Sequence, residues 1–277
     1  LCYELSHCRI DATTIQFFPL WLPSPENPRG CTMRKFSKTS RICLTAFGLA
    51  FVAGILVTGV PYAQAGEQLT LANGAKLYDK WYKVIKAKAP ETSHPAYPAD
   101  KKYAGKPAAN WRCKECHGWD GLGRDGAYAG GKHFSGIKGI NGMIGADPAK
   151  VIAVLKDANH LYGDEMTDSD LGKVALFVSR GQIDYSRYID SATKKVKGGN
   201  AVRGEAYFNT ICSNCHGTDG NRPKDMGKTL AKQMSNPWEV MHKILNGQPG
   251  EDMPALRALD RQIVVDIMAH ISTLPTE

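Results

Sequence analysis

Apolar side chains recur at helical spacing in several stretches of the chain. After Asn73-Gly74, the residues Leu77, Tyr78, Trp81, Val84 and Ile85 fall on one face, which predicts a helix opening at that pair. Leu171, Val174, Phe177 and Val178 share a face behind Thr167-Asp168-Ser169-Asp170, a sequence that reads as a capped helix start. Further on, Gly204-Glu205-Ala206-Tyr207-Phe208 occupies a helical stretch for which Asn200 is the natural N-cap. Ile263, Val264, Ile267, Met268 and Ile271 form an inward face behind a cap at Asp260, and Pro275 helps stop that helix. Beyond the leader, nothing alternates in the manner of a strand. The expected fold class is all-α.

The polar and apolar pattern near the start has a different meaning. Arg34, Lys35, Lys38 and Arg41 follow Met33 and precede an apolar run from Leu44 to Val60, which leads to Ala63-Gln64-Ala65. A basic segment, an apolar stretch and a small-x-small end make a secretory signal peptide, with cleavage expected after Ala65 and delivery to the periplasm. The bland alternative is a retained membrane anchor. Cys43 precedes the apolar run, so it does not stand where a lipoprotein cysteine would. Leu1 to Thr32 fit no part of this scheme and read as an over-extended start, so residues 1–65 are expected to be removed.

That cut changes the meaning of the cysteines. Of eight in the chain, Cys2, Cys8, Cys31 and Cys43 lie before it, leaving Cys113, Cys116, Cys212 and Cys215. Four cysteines in an exported protein would ordinarily suggest disulfides. Each pair, however, is followed at once by a histidine, in Cys113-Lys114-Glu115-Cys116-His117 and Cys212-Ser213-Asn214-Cys215-His216. C-x-x-C-H is the attachment pattern of c-type haem. Two thiols add to the two vinyl groups on one porphyrin edge, and the adjacent imidazole becomes the proximal ligand of the iron. A shared zinc site would need the two pairs much closer in sequence, and a thioredoxin-type dithiol leaves both histidines unexplained. Two covalently bound haems c are the expected cofactors.

With these motifs in place, each half resembles a class I cytochrome c domain. The pair is similar to the dihaem c-type cytochromes, in the arrangement of the cytochrome c4 type. The resemblance implies two tandem haem domains at residues 66–184 and 200–277, joined by a linker at 185–199 that carries Lys194, Lys195, Lys197 and Gly198-Gly199. In the second half Gly204 stands close before Cys212, as the family pattern has it. In the first half an insertion carrying Pro90, Pro95, Pro98 and Pro107 separates Gly74 from Cys113, and it is expected to wrap the first haem or dock a partner. The resemblance further implies a distal methionine just before the last helix of each half. Met166, in Tyr162-Gly163-Asp164-Glu165-Met166-Thr167, and Met253, in Pro249-Gly250-Glu251-Asp252-Met253-Pro254, occupy those places. The expected iron ligands are therefore His117 with Met166 and His216 with Met253. Met143, Met226, Met234 and Met241 are rivals, Met268 belongs to a core face, and His133 and His160 are candidates for a bis-histidine first haem. Trp111, Trp119 and Trp238 are expected to pack against haem faces or edges.

Charge narrows the partners only a little. The chain carries 35 Lys plus Arg against 27 Asp plus Glu, a formal net charge of +8. No long basic run or aromatic-basic interleave marks a nucleic-acid surface, and haem propionates would bring the exported protein towards neutrality. The expected function is a one-electron carrier or relay between redox protein partners, rather than an enzyme, with docking to a membrane redox complex left open. The alternative is a haem redox enzyme resembling thiosulfate dehydrogenase, or an electron-transfer subunit of an oxidase or dehydrogenase. Thiosulfate dehydrogenases commonly place a cysteine on the active iron, and the chain after Ala65 has none to spare. Dihaem peroxidases need an open iron and a longer chain.

Overall fold

The structure, a computed structural model, describes residues 60–277. Leu1 to Thr32, expected to be an over-extended start, lie outside the described residues, as do the basic segment, the four upstream cysteines and the apolar run up to residue 59. The expected cut after Ala65 falls near the start of the first described helix, α1, Val60–Val84. Among the described residues no helix is long and apolar enough to cross a membrane.

The first half continues with the short α2, Pro107–Asn110, and α3, Cys113–His117, followed by α4, Pro148–Leu155. It closes with α5, Asp168–Leu176, which widens into a π-turn at Phe177–Gly181. The second half contains α6, Ala201–Ile211, α7, Ser213–His216, and α8, Leu230–Gln233. It ends with α9, Pro237–Asn246, and α10, Arg261–Ile271. Bridges pair Gly123 with Lys138 and Ile189 with Val196, and no sheet forms among the described residues.

The caps form as the sequence leads one to expect. The Thr167 hydroxyl accepts from the Asp170 amide at 3.2 Å, and Asn200 accepts from the Arg203 amide at 3.0 Å. Asp260 accepts from the Gln262 amide at 2.8 Å. Each satisfies a helix-start amide that would otherwise lack a partner.

The start of α1 differs from expectation. The helix does not open at Asn73-Gly74 but runs through it, because Leu71, Ala72 and Ala75 on either side are buried. Gly74 is a crossing point. A Cβ there would lie 2.0 Å from the Lys173 carbonyl oxygen of α5, so the two backbones can pass only where a side chain is missing. Gly204 does the same for α6 against α10, where a Cβ would lie 1.9 Å from the Asp266 carbonyl oxygen. Helical geometry breaks at Lys80, with φ −158° and ψ 72°, and beyond the break Trp81 and Tyr82 still point into the core.

Two apolar clusters result. One gathers Leu77, Trp81, Trp111, Leu171 and Val174, and the other gathers Phe208, Met241, Leu245, Val264 and Met268. The inserted segment is built into the first. Asn110 is buried, accepting from the His94 amide at 3.0 Å and donating to the Tyr103 and Ala104 carbonyls at 2.9 and 3.1 Å. The stretch at 185–199 is anchored too, since Tyr185 and Ile189 are buried in the second cluster. A seam joins the halves where α1 meets α9. Buried Asp79 of α1 pairs with both Arg112 and Lys243, and the His242 ring donates from Nε2 to the Ala75 carbonyl at 3.1 Å.

Candidate functional site

Both C-x-x-C-H motifs form a single short helix turn, in α3 and α7, that ends on a glycine with left-handed φ. Gly118 has φ 78° and Gly217 has φ 74°, values a residue with a Cβ rarely adopts. The chain then returns over each histidine. The Gly123 amide donates to the His117 carbonyl at 2.8 Å, and the Arg222 amide donates to the His216 carbonyl at 3.0 Å. An aspartate steadies each return: Asp120 accepts from the Leu122 amide and Asp219 from the Asn221 amide.

Backbone carbonyls fix the imidazoles, one from the return loop itself in the second half and one from a later segment bridged to it at Gly123–Lys138 in the first. His117 Nδ1 lies 2.8 Å from the Lys138 carbonyl oxygen, and His216 Nδ1 lies 3.0 Å from the Arg222 carbonyl oxygen. A carbonyl can only accept, so Nδ1 carries the proton in each ring and Nε2 keeps its lone pair. Metal-binding histidines are held in this way, the outer nitrogen donating to an oxygen while the inner one faces the metal. Burial lowers the His117 pKa to about 4, although the Lys138 carbonyl works against it, so the ring stays neutral across the physiological range.

The cysteines are free and unlike redox dithiols. Burial pushes Cys113 up to about 11, Cys116 to about 12 and Cys212 to about 11. Catalytic C-x-x-C pairs depend on a lowered thiol pKa.

In the second half these groups open onto a cavity of about 660 Å³ lined by Cys212, Cys215, His216, Met226 and Met253. Phe208, Val240, Ile244 and Ile271 supply its apolar walls. Paired thiols, a fixed imidazole and thioethers around an apolar space of cofactor size are the donors and volume that covalent haem requires. Met253 and its rival Met226 both line this space.

The first half arranges its far side differently. Met166 is buried in the same apolar cluster as Leu171, Val174, Tyr162 and Cys113. His160 faces His117 instead, with ring centroids 6.3 Å apart and planes 17° from parallel. His133 is engaged elsewhere. Its ring lies 4.7 Å from that of Tyr128 and 5.0 Å from that of Tyr103, and its Nδ1 meets buried Glu115 at 2.8 Å. Of the three tryptophans, Trp111 packs in the first cluster, and Trp119 and Trp238 in the second. The carbonyls that anchor the histidines belong to Lys138 and Arg222. They are backbone groups that any residue could supply, and no side-chain pattern pointed to them.

No curated protein and no solved structure matches the chain. The family described as cytochrome C oxidase, cbb3-type, subunit III matches residues 199–271, which takes in α6, the second C-x-x-C-H motif, the cavity and α10. The second half is thus a cytochrome c domain, and its cavity is the place for a covalently held haem.

Proposed function

We propose that the protein is an exported dihaem c-type cytochrome that passes single electrons between redox partners in the periplasm. The observation that carries the dihaem reading is the repeated proximal geometry. His117 and His216 each follow a C-x-x-C turn, each precede a left-handed glycine, and each donate from Nδ1 to a backbone carbonyl. The crossings at Gly74 and Gly204 extend the repeat to the flanking helices. Cys113 and Cys116 would hold one haem with His117 beneath its iron, and Cys212 and Cys215 would hold the other with His216 and Met253 as ligands. Each haem, once bound, supplies a one-electron iron couple. The chain fixes the imidazoles through their Nδ1 hydrogen bonds and walls the second site with Phe208, Val240, Ile244 and Ile271, so little movement of these groups is needed when an electron arrives.

A second reading is an electron-transfer subunit of a terminal oxidase. The match of residues 199–271 to a family of oxidase subunits favours it. Its chemistry is the same and only the partner differs.

The test is cofactor load and origin. Purified protein should yield two haems per chain in a pyridine haemochrome assay, both retained after acid-acetone extraction, and should begin at Gly66. One haem per chain would end the dihaem reading, and a chain that retains its leader would end the reading of cleavage after Ala65.

A further inference from the structure

We propose that His160, rather than Met166, is the distal ligand of the first haem iron. The first haem would then be bis-histidine, and the second histidine–methionine. The proposal rests on the dihaem reading above and goes further by naming the first iron's sixth ligand.

The spacing of two rings leads to it. A histidine nitrogen binds a metal at about 2 Å, which puts the ring centroid about 3 Å from the metal and a trans pair about 6 Å apart. The His117 and His160 centroids are 6.3 Å apart, with nearly parallel planes.

The tautomers agree as well. His160 Nδ1 lies 3.0 Å from the Asp157 carboxylate, which can only accept, so the proton sits on Nδ1 and the Nε2 lone pair is left for a metal. A carboxylate behind a liganding imidazole orients the ring and strengthens it as a donor. His117, with Nδ1 on the Lys138 carbonyl, is prepared in the same way.

His160 is also held in place by its own loop. Its amide donates to the Asp157 carboxylate at 2.9 Å, and the Leu161 amide donates to the Asp157 carbonyl at 3.0 Å. Leu161 adopts φ 59°, a left-handed conformation that a leucine takes only when surrounding structure imposes it. The inserted segment supplies part of that structure. His94 accepts from the Ala96 amide on Nδ1 at 3.2 Å and donates from Nε2 to the His160 carbonyl at 3.0 Å. The insertion thereby clamps the backbone of the residue that faces His117, and His94 is a positioning residue for it. Met166 behaves as core, 5% exposed among Leu171 and Val174, a packing role to which methionine is well suited.

Spectra of the full-length, haem-loaded protein decide the matter. Oxidised protein should show the near-infrared sulfur-to-iron band with the intensity of one haem, while haemochrome analysis gives two. Met166→Leu should leave the band and both potentials unchanged. His160→Ala should make a protein that ignores carbon monoxide bind one molecule per chain when reduced. His160→Met should double the near-infrared band and raise the lower potential, since thioether ligation raises it. Should the His160 variants fail to assemble, the wild-type band together with Met166→Leu still gives the answer. Two haems with a two-haem band, or a band halved by Met166→Leu, would overturn the proposal and leave the dihaem reading standing. A single haem per chain would overturn the dihaem reading itself.

Discussion

In the first half α1 crosses α5 at Gly74, and in the second half α6 crosses α10 at Gly204, each within reach of a backbone carbonyl of the partner helix. His117 and His216 are anchored by the same kind of bond, Nδ1 to a backbone carbonyl. On the far side the resemblance stops. The second half opens a cavity of about 660 Å³ with Met226 and Met253 on its wall. The first presents His160 to His117 and buries Met166 in its core. Inserted residues, through His94, secure the loop that makes the difference. Helix crossing and proximal turn are demanded by backbone geometry and change little between the halves. The segment opposite each histidine is a loop on that frame, and it is there that the two halves differ.

The two halves also differ in how they bury an aspartate, and this gives the largest expected effect. Asp79 lies between Arg112 and Lys243, whose side chains are 17% and 16% exposed. Burial alone would raise its pKa, but the two cations outweigh that and hold the carboxyl well below the usual carboxylate range. Asp79→Ala would strand two cations, and removing one partner of a buried pair costs about 3–5 kcal/mol. Asp266 is buried as well, but its partner Arg203 is 55% exposed and can turn to water. Asp266→Ala should cost less, about 1–3 kcal/mol, chiefly for the Asn200 amide and the Gln262 side chain left without an acceptor. Chemical denaturation of both variants measures the contrast. Equal losses would show that the seam between the halves is no more desolvated than the second half's surface.

The crossings come next. Alanine normally favours a helix over glycine by about 1 kcal/mol. At Gly74 and Gly204 the added Cβ would meet a carbonyl oxygen at 2.0 and 1.9 Å, so the sign should reverse, with a loss of about 1–3 kcal/mol at each. Similar losses would support one shared scaffold. A stabilising Gly74→Ala would mean that α1 and α5 do not meet as described, and the repeat would then rest on the haem turns alone.

These residues also show how far the sequence could be read. The two C-x-x-C-H turns, the caps at Thr167, Asn200 and Asp260, and the inward faces of α5 and α10 are legible because each is a local pattern of side chains. Gly74 was legible as a glycine but misread as a helix start, since a crossing and a break look the same until the partner helix is known. The Asp79–Lys243 pair joins distant parts of the chain and carries no local signal. His160 could be recognised as a rival to Met166, and Asp157 three positions earlier is a fitting buttress, but only the fold brings the His160 ring opposite His117. The stretch at 185–199 looked like a linker from its lysines and glycines, while its anchors, Tyr185 and Ile189, are buried by contacts a composition reading does not reveal.

The smallest expected effect tests whether the seam responds to acid. His242 of α9 is buried against Ala75, Tyr78 and Phe177 of the first half and Trp119 beside it. Burial lowers its pKa to about 4; Asp79 and the Ala75 carbonyl oppose the shift, and Lys243 and Arg257 add to it. The unfolded chain would take up this proton near the ordinary histidine value of about 6.5. Between those two values the unfolded state binds more protons, so stability must fall as pH falls. From about pH 7 to about pH 5.5 the single site should cost about 1 kcal/mol. His242→Gln keeps an amide that can donate to the Ala75 carbonyl and removes the titration. Denaturation at several pH values should therefore give the variant a flatter acid limb, with the remaining slope carried by groups such as His94, whose pKa burial also lowers. An unchanged slope would mean that His242 already exchanges protons with water in the folded protein. The seam would then be open to water where the two halves meet.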